Sequence, residues 1–210
     1  IFVAARRRLV SSSLPREEER GVILVFDSNL NYVETIKAPF PLRDIHEIKW
    51  FENKLWVVCS FDDMVAIFDG NTWDRWYPLG VPQAGMYDRY HFNSLMFEDK
   101  YVWVLAHNRG PSTLLLYDIN GRRLLGSISL GEQSHNIWRY KKEILTCSSG
   151  TGQILGSSGF KITVGGFPRG VACLNHNIYI GISELAERRE RDLTSGCILV
   201  YDDNWQIQEQ

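Results

Sequence analysis

The sequence predicts an all-β protein: a β-propeller built from four-stranded antiparallel blades. The first observation is a tripeptide, Val25–Asp27, that returns at Ile67–Asp69, Leu116–Asp118 and Val200–Asp202, where each copy ends an apolar run. Its Asp residues lie 42, 49 and 84 residues apart, and 84 is two steps of 42. Self-similarity at roughly 40–50 residues is typical of propellers and solenoids. The second observation is four short strands per repeat, rich in β-branched and aromatic residues, which favours the propeller.

The repeats divide the chain into about five blades within a single domain, residues 1–210. Turn signals such as Asn120-Gly121 separate the strands. The last blade resembles the first, because Gly196–Asp202 matches Gly21–Asp27 nearly residue for residue. The first blade lacks its innermost strand, so we expect a truncated N-terminus. The blades span about 1–38, 41–80, 87–131, 132–165 and 167–210.

Each blade is assigned strands from its apolar runs. The first has Ile1–Ala5, Gly21–Asp27 and Tyr32–Lys37, and the second has Asp44–Phe51, Leu55–Ser60, Met64–Asp69 and Asp74–Leu79. The third has His91–Phe97, Tyr101–His107, Thr113–Asp118 and Arg122–Leu130. The fourth has His135–Tyr140, Glu143–Ser148, Gly152–Leu155 and Phe160–Val164. The fifth has Arg169–Leu174, Asn177–Ser183, Gly196–Asp202 and Trp205–Gln208.

Composition limits the function classes. The net charge of -2 provides no overall attraction to nucleic acid or to an acidic membrane, so neither is an expected partner. No apolar run approaches the roughly 18 residues of a membrane span. The four cysteines fall in apolar strand patterns and are interpreted as buried free thiols, which favours a reducing, cytoplasmic location.

Seven tryptophans supply flat side chains for stacked sheets. Trp50, Trp56, Trp103 and Trp138 are expected in the core, and Trp73, Trp76 and Tyr77 between blades.

The innermost strands carry the chemical signal. When they are aligned on Ile48, Leu95, Ile137 and Val171, the residue two places earlier is polar in every blade. Innermost strands surround the axis of a propeller, so these side chains should meet at one mouth of the central channel. Four apolar residues would have closed the channel equally well. The predicted ring consists of His46, Asn93, His135 and Arg169.

Loops above the same mouth add donors. His107 and Arg109 follow a second strand, and His91 and Arg89 precede the third innermost strand. Glutamates 17, 18, 19, 187 and 190 are expected to cancel charge on the rim but not in the channel. The ligand-binding prediction therefore comprises His46, Asn93, His135, Arg169, His107 and Arg109. Such donors suit a carboxylate, phosphate or sulfate, on a small anionic molecule or on an acidic protein segment. Further loop arginines at the mouth are Arg6, Arg7, Arg8, Arg188, Arg189 and Arg191.

Two other functions remain open. An enzyme, a lyase or transferase, would use His46 or His135 as general base or nucleophile, with Arg169 stabilising negative charge. A purely structural interaction domain would leave the channel hydrated. No cofactor is expected. No metal site is expected either, because His46 and His135 lie two blades apart and no carboxylate shares their register.

Short segments carry a resemblance to known propellers: Asp44–Glu47, Ser148–Gly152, and Gly166–Ala172 followed by Ile180–Ser183. With the repeat pattern they resemble the NHL-type and YncE-like propellers. More narrowly, they resemble an uncharacterised bacterial propeller family defined only as a domain of unknown function. The resemblance covers most of residues 44–202 and implies a role for His46 and Arg169 without naming a reaction. Arylsulfotransferases are similar in surrounding a propeller channel with His, Asn and Arg.

Overall fold

A computed structural model describes residues 1–6, 14–187, 190 and 193–209, and it is a five-blade β-propeller. The fold class is therefore confirmed. Every sheet is antiparallel and meanders from the inside of the ring outwards. The first blade contains β1 (Phe2–Ala5), β2 (Val22–Phe26) and β3 (Tyr32–Ile36), and the second contains β4 (Ile45–Phe51), β5 (Lys54–Cys59), β6 (Met64–Phe68) and β7 (Trp73–Trp76).

The other three blades repeat this order. The third contains β8 (Phe92–Glu98), β9 (Tyr101–Ala106), β10 (Pro111–Asp118) and β11 (Leu124–Glu132). The fourth contains β12 (Ser134–Tyr140), β13 (Glu143–Ser148), β14 (Gln153–Gly156) and β15 (Lys161–Thr163). The fifth contains β16 (Phe167–Leu174), β17 (Asn177–Ser183), β18 (Gly196–Asp202) and β19 (Ile207–Glu209).

The first blade has three strands within the described residues, as the sequence predicted. In the first blade, β1 contacts β4. In the second blade, the second strand, β5, contacts β8 in the same way. The strand that corresponds to β4 is therefore the one this sheet lacks. The innermost strands of the complete blades follow one another around the axis, with β4 next to β8, β8 next to β12 and β12 next to β16.

The hydrophobic core lies between blades. Trp56 and Trp76 of the second blade share one cluster with Tyr117 of the third, and Trp76 meets the Tyr117 ring edge-on at 5.0 Å. The expectation that Trp76 packs between blades is confirmed. The expectation for Trp50 is wrong, because 55% of this residue is exposed and its ring stacks on Phe2. Trp50 lies on the same face of β4 as Ile48, which packs against a core cluster, but one residue from the end of the strand.

The cysteines separate into two classes. Cys59 and Cys147 are fully buried, as predicted, on the second strands of their blades. Cys173 is exposed and Cys197 is half-buried, so the prediction of four buried thiols is wrong for this pair. Both lie in the fifth blade, where β18 also leaves 58% of Ile198 exposed. Across the described parts of the chain, no helix is both long and apolar enough to span a bilayer.

Candidate functional site

The mouth of the channel is shaped by a β-bulge at the start of each complete innermost strand. The pairing register shifts around His46 in β4, Asn93 in β8, Asn136 in β12 and Arg169 in β16. A bulge leaves one residue unpaired and redirects its side chain. The predicted ring positions are therefore the bulged residues in three of the four blades.

The fourth blade differs from the sequence alignment by one residue. The bulged residue of β12 is Asn136, whose side-chain amide donates to the carbonyl oxygen of Arg169 in the next blade. His135 precedes the bulge and pairs with Cys147 across the sheet. Its ring nevertheless reaches the mouth, 6.4 Å from the ring of His46. Apolar spacing alone could not reveal this offset, because the bulge lies just before Ile137, the apolar residue on which the strand was aligned.

Four of the five histidines in the chain meet at this mouth. The ring centroids of His46 and His91 lie 4.7 Å apart, those of His91 and His107 4.9 Å, and those of His107 and His135 5.0 Å. The fourth side, from His135 back to His46, measures 6.4 Å. We call these four residues the imidazole ring. They come from three blades and from three different kinds of position, so only the fold brings them together.

Hydrogen bonds at Nδ1 fix the tautomers of the imidazole ring. In His46 and His135, Nδ1 lies 2.9 and 3.0 Å from the carbonyl oxygens of Asp44 and Gln133, and in His91 it contacts the Asp88 carboxylate. These three therefore donate from Nδ1 and carry a lone pair on Nε2. His107 is the opposite case. Its Nδ1 accepts the backbone N–H of Arg109 at 3.0 Å, so its Nε2 is a donor.

Burial keeps most of this ring uncharged. Desolvation, together with repulsion from neighbouring histidines and arginines, lowers the pKa of His107 to about 3. Burial likewise lowers the pKa of His46 to about 4, although Asp44 opposes the shift. Burial and the nearby charge of Arg169 lower the pKa of His135 well below its ordinary value. At neutral pH these side chains are neutral imidazoles.

Carboxylates enter the mouth beside the imidazoles, and one of them corrects the expectation that Glu19 acts only on the rim. Asp44 and Asp88 are 3% and 7% exposed, and Glu19, expected on the rim, is 1% exposed. Arg16 bridges the two aspartates. Arg6 forms a two-pronged pair with Glu19, at 3.1 and 3.0 Å, and reaches Asp44 at 2.7 Å.

These pairs hold the aspartates ionised. Burial opposes ionisation of Asp44, but interaction with His46, which is protonated in the acid range where Asp44 titrates, and with Arg6 and Arg16 lowers its pKa to about 2. Burial also opposes ionisation of Asp88, and the hydrogen bond from His91 together with the nearby arginine charges lowers its pKa. The carboxylates of Asp44, Asp88 and Glu19 therefore lie among the guanidinium groups of Arg6, Arg16 and Arg109.

The remaining predicted residues differ in their surroundings. Arg109 pairs with Asp88 while 55% of its side chain stays exposed. Arg169 is exposed, and its guanidinium lies 4.9 Å from the centroid of the Phe167 ring. Asn93 is buried in the wall, where its amide donates to the carbonyl of Ser134 at 3.0 Å. Its Oδ1 has no hydrogen-bond partner among the described residues.

Two residues at the mouth, Asp88 and Arg16, were not predicted from the sequence. They lie outside the strands, so an alignment of the innermost strands could not identify them. One local signal existed, since Asp88 stands three residues before His91. Arg7, Arg8, Arg188, Arg189 and Arg191 lie outside the described residues.

Comparisons with known proteins agree on the fold. No family model and no curated protein matches this chain. An uncharacterised protein from Bacteroides caccae superposes with a TM-score of 0.61 at 13% identity, over 90% of this chain and 68% of that one. A streptogramin B lyase gives 0.61 at 10% identity, over 100% and 72%. The virginiamycin B lyase of Staphylococcus aureus gives 0.59 at 8% identity, over 100% and 74%.

At these identities the likeness concerns the fold. The structural neighbours are uncharacterised bacterial β-propellers and lyases of the virginiamycin B type. Membership in the NHL-type or YncE-like group is not supported by a sequence match and stays a prediction. This chain is similar in architecture to propellers of both kinds.

Proposed function

We propose that this β-propeller binds a small anionic molecule at the mouth of its central channel. The observation that carries the proposal is the pair of exposed guanidinium groups, those of Arg109 and Arg169, at a mouth where burial lowers the pKa values of His46, His107 and His135. Among the four imidazoles, His107 adds a donor, Nε2, without adding charge. Arg109 and Arg169 are the exposed cations, so they are the side chains that an incoming anion would meet first. An acidic protein segment would use the same contacts.

Calorimetric titration with inorganic phosphate, sulfate and a small dicarboxylate tests this proposal. A charge-assisted hydrogen bond contributes about 1.5–3 kcal/mol, so Arg169→Ala should weaken anion binding roughly tenfold or more. Arg139→Ala is the matched control, because Arg139 lies on β12 and pairs with Glu98 at 2.5 Å. Unchanged affinity in Arg169→Ala, or no anion binding to the wild type, would refute the proposal.

A second candidate function is proton-transfer catalysis of the lyase type. Asp88 favours it, because a carboxylate on Nδ1 of His91 orients Nε2 as a base and stabilises the imidazolium that forms. For His46 and His135, the histidines that the sequence suggested, Nδ1 donates to a carbonyl oxygen, and the Asp44 carboxylate is farther from Nδ1 of His46, at 3.4 Å. The neighbouring lyase folds agree with this candidate without supplying a substrate.

Deuterium incorporation tests this candidate. The wild type is incubated in D₂O with a panel of carboxylic acids, and exchange of the C–H next to the carboxylate is followed by NMR. Exchange that falls in His91→Gln but persists in His176→Gln would support a base at position 91. His176 is the suitable control, because its side chain is 90% exposed in a turn beside Asp203.

A further inference from the structure

One group of side chains at the mouth has the composition of a metal site. Asp44, His46 and His91 each offer one ligand atom, and these atoms all lie within 4.8 Å of one another. Within the part of the chain that the structure describes, no other such group of three occurs. Two imidazoles and one carboxylate suit divalent transition metals and leave coordination positions open.

The hydrogen bonds behind the two histidines match those of metal ligands. A histidine that binds a metal usually donates its other ring N–H to a carboxylate or a backbone carbonyl. His91 donates to the carboxylate of Asp88, and His46 donates to the carbonyl of Asp44 at 2.9 Å. Both rings therefore present an Nε2 lone pair. The hydrogen bonds that hold metal-binding histidines in place are thus already present around these rings.

The charges at the mouth are compatible with a cation. Arg6 and Arg16 each pair with one oxygen of the Asp44 carboxylate, and Asp44, Asp88 and Glu19 offset part of the guanidinium charge at the mouth. A carboxylate oxygen also has lone pairs beyond those used by an arginine. A divalent ion would raise the positive charge of the mouth, which an anionic ligand would balance.

The sequence predicted no metal site because His46 and His135 lie two blades apart and no carboxylate shares their register. In the folded protein the left-handed backbone at Asp44 and at His91, with φ of 54° and 51°, places both residues just before an innermost strand. His91 is the nearer neighbour of His46, and Asp44 supplies the carboxylate.

We propose that Asp44, His46 and His91 bind one divalent transition-metal ion of the zinc, cobalt and iron(II) class at the mouth of the propeller. His107 and His135 line the neighbouring space, and Asp88 acts as a positioning residue for His91. The open coordination positions would accept an oxygen of the anion, although metal binding itself does not depend on that anion.

Cobalt titration of protein treated with EDTA tests the metal site. In Hepes buffer without phosphate or carboxylates, we expect one Co²⁺ per chain and visible d–d absorption. His46→Ala and His91→Ala should each weaken binding at least tenfold, and Asp88→Asn should weaken it about 10–100-fold. His176→Ala should bind as the wild type does. An absence of binding at millimolar Co²⁺, or equal binding in His91→Ala, would overturn the proposal.

A measurement on the wild type keeps the test valid if these variants fail to fold. In NMR spectra of the ring nitrogens, Zn²⁺ should shift Nε2 of His46 and His91 and leave His176 unchanged. Shifts at His176 alone would also overturn the proposal. Phosphate titrated into EDTA-treated protein tests the anion separately, so the failure of one proposal does not imply the failure of the other.

Discussion

Asp63 shows how one residue supports the site without touching a ligand. It is 2% exposed, and its carboxylate accepts the backbone N–H groups of Arg89, Tyr90 and His91 at 2.8, 3.0 and 2.8 Å. Removal of a buried acceptor costs about 1–3 kcal/mol for each donor left unpaired. We expect Asp63→Ala to lower the free energy of unfolding by about 3 kcal/mol, as measured by urea denaturation.

Asp63→Asn is the matched control for that variant. Asparagine tolerates the left-handed backbone at this position, where φ is 46°, and it keeps the oxygen that serves Tyr90 and His91. Its loss of stability should therefore be clearly smaller. Equal losses in the two variants would show that the three hydrogen bonds are not what stabilises this loop.

The thiols give a second prediction at the residue scale. Burial raises the pKa of Cys147 to about 12, and burial also raises the pKa of Cys59 well above its ordinary value. Because the thiolate is the reactive form, a thiol reagent such as DTNB should modify Cys173 and Cys197 first. The other two should react only after unfolding. A third fast thiol in native protein, or unchanged kinetics in Cys173→Ser, would contradict this prediction.

The site was predictable from sequence only in part. His46 and Arg169 were predicted because polar residues occupy the same position of the innermost strand in successive blades. The tautomers were not predictable, because they depend on which carbonyl or carboxylate the fold places beside each Nδ1. Asp88 was missed for the same reason. Its partners Arg16 and Arg109 are distant in sequence, and only closure of the ring brings them to one point.

At the scale of elements, the Asp that ends each repeated tripeptide has a structural role, which explains why the tripeptide recurs. Asp69 Oδ1 accepts the backbone N–H groups of Asn71 and Thr72 at 2.9 and 2.7 Å and so closes the turn between β6 and β7. Asp27 and Asp202 do the same in their own blades. The sequence revealed the fold because an Asx turn needs this side chain at a fixed place.

These turns should weaken in acid. Hydrogen bonds from Thr72 and Asn71 lower the pKa of Asp69 below its ordinary value of about 3.9. A carboxylate whose pKa is lower in the folded state than in the unfolded state stabilises the fold at pH values above its ordinary pKa. That stabilisation disappears as the pH falls through the pKa of the folded state. Asp69→Asn should therefore lower the urea midpoint more at pH 6 than at pH 3. An equal effect at both pH values would contradict this explanation.

The bulges are the element that the sequence could not show. A one-residue slip normally moves a strand's apolar side chains to the other face. Here the slip is confined to the first residues of β4, β8, β12 and β16, so the core pattern beyond it is unchanged. The alignment of innermost strands therefore found the right blades and missed the position of Asn136.

At the scale of the whole molecule, side-chain hydrogen bonds join one innermost strand to the next. Ser94 in β8 donates to Glu47 Oε2 of the second blade at 3.0 Å and accepts the backbone N–H of Ile137, in the fourth, at 3.2 Å. Glu47 Oε2 also accepts the backbone N–H of Leu95 at 2.6 Å. One hydroxyl, 1% exposed, thus connects three blades beneath the imidazole ring.

Replacement of this hydroxyl tests whether the blades hold one another in place. Ser94→Ala leaves the N–H of Ile137 without its acceptor and removes one donor from Glu47, so we expect a loss of about 2 kcal/mol in the free energy of unfolding. Ser127→Ala, at an exposed position of β11 in the same blade, should change stability by less than about 0.5 kcal/mol. If the junction also positions the mouth, the ring-nitrogen NMR signals of His46 and His135 should shift in Ser94→Ala and not in Ser127→Ala. Stability loss with unchanged histidine signals would limit the role of Ser94 to the fold.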